Sequence, residues 1–159
     1  MHFFLVFYIF FFQILKAEEL RIKSIIILED KVPSKCGLSF ETSETTSKVL
    51  IKKTKEGTST FFSIDSKMKK IKKANIKTFN QNLNKLLDFN TFNSDSNSIE
   101  KETDENQTTA FFQELLIGGG ILLINDKKFE IKGPIDSKVR LEYLFCTGEM
   151  FLPNYETNK

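Results

Sequence analysis

Lys67, Lys69, Lys70, Lys72, Lys73 and Lys77 crowd into eleven positions that hold no acidic residue, with Met68 and Ile71 between them. A cluster of this kind can seat on anionic lipid, a polysaccharide or another polyanion at about 1 kcal/mol per well-placed lysine. On helical geometry Lys69, Lys70 and Lys73 would stand together. Two plainer readings compete: pairing with the acidic stretch 90–108 of the same chain, and a simple solvated surface.

Cys36 and Cys146 are the only cysteines. In an oxidising compartment that count makes one bridge, and their wide separation lacks the close pairing of zinc or thiol-exchange motifs. Two buried free thiols are the alternative if the chain stays in a reducing compartment.

Compartment is read from residues 3–15, FFLVFYIFFFQIL, which are apolar apart from Gln13 and are followed by Lys16, Ala17 and Glu18. A spanning helix needs roughly 20 apolar residues, whereas the core of a signal peptide needs about 7–15 before a small residue at the cut. The expectation is a signal peptide over 1–17, cleaved after Ala17, and a secreted or periplasmic domain over 18–159. An uncleaved N-terminal membrane anchor is the alternative.

Cleavage would remove His2, the single histidine, and leave 22 basic against 21 acidic residues. A chain without histidine cannot build a Ser-His-Asp or Cys-His centre and lacks the commonest transition-metal ligand. Neither a cofactor nor a metal is expected. So small a net charge gives no global field to attract nucleic acid.

Carboxylates remain as acid-base candidates, such as Asp126 with Glu130, or Glu142 with Glu149. Glycoside hydrolysis needs two of them about 5–9 Å apart, one in an apolar pocket. Gly118-Gly119-Gly120 invites a phosphate-loop reading, but no Gly-Lys-Ser or Gly-Lys-Thr follows and position 123 is Leu, so a helix stop before a strand explains the run better.

The elements that must position these residues read as β-rich in the first half. Leu20 and Ile22 alternate with charged residues before Ile25–Leu28, which predicts a first strand ending at the turn around Pro33. The run 36–41 places Cys36, Leu38 and Phe40 on one face, and 47–55 with 58–65 make a hairpin about Glu56-Gly57. These strands suggest an antiparallel meander with one packed face.

Phe79, Leu83, Leu86 and Leu87 form a helical stripe that Thr78 would cap, and the lysine run before it is either the first turns of that helix or a separate exposed segment. Residues 90–108 hold five acids, one lysine and two apolar residues, Phe92 and Ile99. That composition predicts a disordered loop, because it buries too little apolar surface to offset ordering. It carries one sequon, Asn106-Gln107-Thr108.

Beyond the loop, 110–117 predicts a helix ended by Gly118, and 119–125 with 128–132 a hairpin turning at Asp126-Lys127 with Phe129 and Ile131 inward. Val139, Leu141 and Tyr143 alternate with charged residues, which favours a last strand. A helix capped by Asp136 or Ser137, with Leu141, Leu144 and Phe145 on one face, is the alternative.

The fold class expected is α+β: a small antiparallel β-rich core with one or two helices and a long acidic disordered loop, or else an all-β sandwich with a helical insertion. The function expected is non-enzymatic binding or structural interaction by an exported protein, with an unknown protein or a polyanionic envelope component as partner and weak membrane-surface contact as an option. The alternative is a carboxylate-dependent hydrolase acting on cell-envelope or extracellular glycans.

Overall fold

The computed structural model describes residues 19–53, 58–67, 70–86, 89–92, 98–103 and 108–152. The expected export segment 1–17 and the turn at Glu56-Gly57 lie outside them. Four strands, β1 (Arg21–Glu29), β2 (Val32–Glu41), β3 (Thr45–Lys53) and β4 (Thr58–Ser66), form the antiparallel meander that alternation implies. Their register sets Leu38, Val49 and Phe62 side by side on the inner face, all fully buried.

The first turn differs from the expectation. It falls at Asp30-Lys31, both with positive φ (51° and 67°), while Pro33 is buried inside β2. Paired left-handed residues make the tight turn whose twist matches a hairpin, and here they do so without the Gly or Asn that would signal it. Pro33 is accommodated because the pairing skips Ser34 between Lys35 and Pro33, a bulge that relieves the ladder where proline cannot donate.

β5 (Lys73–Thr78) begins a second sheet, so the lysine run is not helical there. Its pairing with a later strand turns Ala74, Ile76 and Thr78 into the core. Helix α1 (Gln81–Leu86) follows, capped by Asn80, whose side-chain oxygen accepts from the amides of Asn82 and Leu83 at 3.1 and 3.4 Å. Thr78 is instead the last residue of β5, and Phe79 is 54% exposed ahead of the helix.

Within 90–108, expected as a disordered loop, β6 (Thr91–Phe92) pairs with β5, and β7 (Ser98–Thr103) pairs with β4 to complete a five-stranded sheet. Backbone ladder bonds hold β7 where composition offers little apolar surface. Residues 93–97 and 104–107, with Asn106 of the sequon, lie outside the described residues.

Helix α2 (Thr108–Gly118) ends where the glycines begin, and Gly119 takes φ 79°, a left-handed conformation that glycine adopts without strain. β8 (Gly119–Ile124) and β9 (Lys127–Lys132) form the expected hairpin, but it turns one residue earlier than expected, at Asn125-Asp126, because Asn125 takes a positive φ and Lys127 already pairs with Ile124. The sheets have orders β1-β2-β3-β4-β7 and β6-β5-β8-β9.

The last element is helix α3 (Ser137–Phe151), not a strand. Asp136 caps it, its carboxylate accepting from the amides of Lys138 and Val139 at 2.9 and 3.4 Å. Val139, Tyr143, Cys146 and Met150, spaced four, three and four apart, are its buried side. With α1, α2 and α3 the chain has three helices among the described residues, and its class is α+β with two antiparallel sheets.

One core joins all of this. A relay of rings runs from β4 through α2 to α3: Phe62 to Phe89 at 5.7 Å, Phe89 to Phe111 at 5.1 Å, Phe111 to Phe112 at 5.9 Å, and Phe112 stacked on Tyr143 at 4.8 Å. Burial pushes the Tyr143 phenol well above its ordinary range, because the phenolate would lose its hydration there. Cys36 and Cys146 are bonded, with Cα atoms 5.8 Å apart, and tie α3 to β2.

Candidate functional site: a basic sheet face

Strand alternation decides where the lysines go. Lys73, Asn75 and Lys77 share the face of β5 opposite to buried Ala74 and Ile76. Register carries that face across the second sheet: Asn75 lies opposite Leu123 and Leu123 opposite Lys128, while Lys77 lies opposite Ile121 and Ile121 opposite Glu130. Lys132 follows two residues beyond Glu130 on the same face. Lys73, Lys77, Lys128 and Lys132 therefore surround half-buried Ile121 and Leu123, with Glu130 as the one acid on these strand positions.

Asn125 fixes the upper edge of this face. With φ 53° in the β8–β9 turn, its side-chain oxygen accepts from the amides of Lys72 and Lys73 at 2.7 and 3.3 Å, and its Nδ2 donates to the Lys70 carbonyl at 3.2 Å. A lysine-rich segment that would otherwise splay from its own charge is thus clamped by its backbone. Lys73 Nζ reaches Asp126 Oδ1 at 3.1 Å, an exposed pair that contributes little by itself.

Two clefts flank the clamp. On the basic face, a cleft of about 350 Å³ is lined by Lys73, Asn75, Asn90, Leu123 and Asp126. Asn75 Nδ2 donates to Asn90 Oδ1, whereas Asn75 Oδ1 is buried with no hydrogen-bond partner among the described residues. A buried acceptor in that state suits a ligand donor such as a hydroxyl or amide. On the other side, a cleft of about 240 Å³ has Ile71, Ile124 and Phe129 as its apolar wall and Glu44 and Lys127 at its rim, the latter two 3.9 Å apart.

The six lysines are thus divided. Lys73 and Lys77 lie on the basic face, Lys70 and Lys72 on the clamped approach to it, and Lys67 at the end of β4, where its amide donates to the Glu44 carbonyl at 3.0 Å. Lys69 lies outside the described residues. Sequence reasoning missed Lys128, Lys132 and Asn75. The alternation in KKFEIK marked Lys128 and Lys132 as outward, but only the β5–β8 pairing brings them to Lys73 and Lys77.

The carboxylate candidates are dispersed. Asp126 is 95% exposed in its side chain, Glu130 and Glu149 are exposed, and Glu142 accepts from the Ser24 hydroxyl on β1. Asp126 borders both clefts, but with its side chain in solvent it lacks the apolar enclosure that raises a general acid's pKa. Among the described residues no group of three or more His, Cys, Asp or Glu could hold a metal ion, and no helix is long and apolar enough to cross a membrane. No family model, curated protein or solved structure matches the chain.

Proposed function

We propose that this chain is an exported, non-enzymatic binding protein that engages a polyanionic component of the cell envelope or extracellular space through the outer face of its second sheet. The observation that carries the reading is the register that gathers Lys73, Lys77, Lys128 and Lys132 around Ile121 and Leu123. Four cations against Glu130, and against Asp126 paired with Lys73, leave an excess of positive potential on one face of a chain whose net charge is only +2. The apolar residues between them offer contact area to the non-ionic parts of the ligand.

Export is supported by the Cys36–Cys146 bridge, since such bonds persist in oxidising compartments, and by the short apolar run at 3–15. Binding at this face is electrostatic in origin and weakens with salt, the screening length falling to about 8 Å at physiological ionic strength.

Retention on immobilised heparin and on anionic vesicles at low salt tests the reading. Wild type is retained and elutes as salt rises. Changing Lys73, Lys77, Lys128 and Lys132 together to Glu abolishes retention, whereas changing Lys48 and Lys52 on the first sheet does not. Unchanged retention of the fourfold variant would remove the basic face as the contact surface.

A further inference from the structure

We propose that the chain forms a two-fold dimer by antiparallel pairing of β1 with β1 of a second copy. Of the sheet edges, β9 carries Lys127, Lys128, Glu130 and Lys132, β7 carries Glu100, Lys101 and Glu102, and β6 is two residues long. Charge and brevity are the usual means by which an edge resists pairing. β1 has neither from Ser24 to Leu28, a run without a charge in which Ile26 is 47% and Leu28 58% exposed. The bulge in this hairpin sits in β2, so β1 itself is a continuous nine-residue edge.

The occupant follows from charge. A two-fold antiparallel pairing centred on Ile25 sets Arg21 opposite Glu29 of the second copy and Glu29 opposite its Arg21. Ile22 then faces Leu28, and Ser24 faces Ile26. Moving the centre one residue towards the N-terminus sets Glu19 against Glu29, and moving it one residue the other way sets Lys23 against Glu29 but Arg21 against Lys31. Of the three, the register free of like-charge pairs is the one centred on Ile25, which also sets Glu19 against Lys31, and an isologous interface needs such self-complementarity.

Helix α3 extends the same surface. Glu142 accepts from Ser24, and Cys146 is bonded to Cys36, the register partner of Ile26. Phe145, on the helical stripe that contains Glu142, stands one turn further along the β1 side and is 68% exposed. Pairing of the β1 edges would bring a second copy against Ile26, Leu28 and Phe145 together.

Expressed from its whole coding sequence in an oxidising secretory host, the protein is expected to sediment at twice its monomer mass. Arg21→Glu and Glu29→Arg each shift it to the monomer, and the double variant R21E/E29R, which restores opposite charges across the axis, returns the dimer. Ile25→Cys provides an independent readout, since position 25 meets its own copy and a short thiol linker should join two chains there. A monomeric wild type overturns the proposal, as does a wild type that associates only on added vesicles, which would make a membrane the occupant. Single variants that remain dimeric, or a double variant that stays monomeric, overturn the register.

Discussion

Gly37 lies in the middle of β2, opposite Leu50, and a Cβ there would come within 2.0 Å of the Val49 carbonyl oxygen and 2.8 Å of the Leu50 Cα. Both are backbone atoms of a paired strand, so they cannot swing aside as a side chain would. Gly37→Ala is expected to cost about 3 kcal/mol through overpacking, read as a lowered urea midpoint at unchanged slope. Tyr143 carries a different sensitivity. Its phenol is held protonated in the fold above the ordinary value of 10.0, so the native state binds one more proton than the unfolded chain once pH passes that value. The contribution of Tyr143 to stability is therefore flat up to about pH 10 and falls beyond it, and Tyr143→Phe should remove that part of the alkaline loss in unfolding curves taken across the range. At this scale the sequence was only partly legible. It marked Cys36, Leu38 and Phe40 as inward, and all three are fully buried, but nothing in it marked Gly37 as a point of backbone contact, because that contact depends on where β3 lies.

Among the elements, those specified by local alternation and a turn were legible: the β3–β4 pair, the β8–β9 hairpin and the stop of α2 at the glycines. α3 was not, for an identifiable reason. Its apolar residues occupy both sides of the helix, with Leu141, Leu144 and Phe145 exposed and Val139, Tyr143, Cys146 and Met150 buried, so helical periodicity is blurred and a short alternation survives in 138–143. The bridge to Cys36 and the stack of Tyr143 on Phe112 decide which side faces inward, and both are contacts with distant parts of the chain. β5 was hidden in the same way, since its lysines masked an alternation that matters only once β8 lies beside it. The candidate site shares that limit. Lys73 and Lys77 could be singled out from their own segment, whereas their grouping with Lys128 and Lys132 is a property of pairing between strands more than 40 positions apart.

For the molecule as a whole, the Cys36–Cys146 bond is the widest local constraint, with a sequence separation of 110. A loop of that size removes about 4–5 kcal/mol of chain entropy from the unfolded state in the entropic description. Replacing both cysteines with Ala should lower stability by up to that amount and steepen the denaturant dependence, because the unbridged chain exposes more surface on unfolding; equilibrium unfolding of the two forms in parallel checks it. The same bond also imposes an order in time. During synthesis Cys36 emerges with β2 among the first strands, while its partner arrives only after β9 and the first two turns of α3 have been made. Through that interval Cys36 is an unpaired thiol on a growing chain, open to joining the wrong partner. The finished bond therefore serves as a record that nearly the entire domain, from meander to last helix, has been made and brought together.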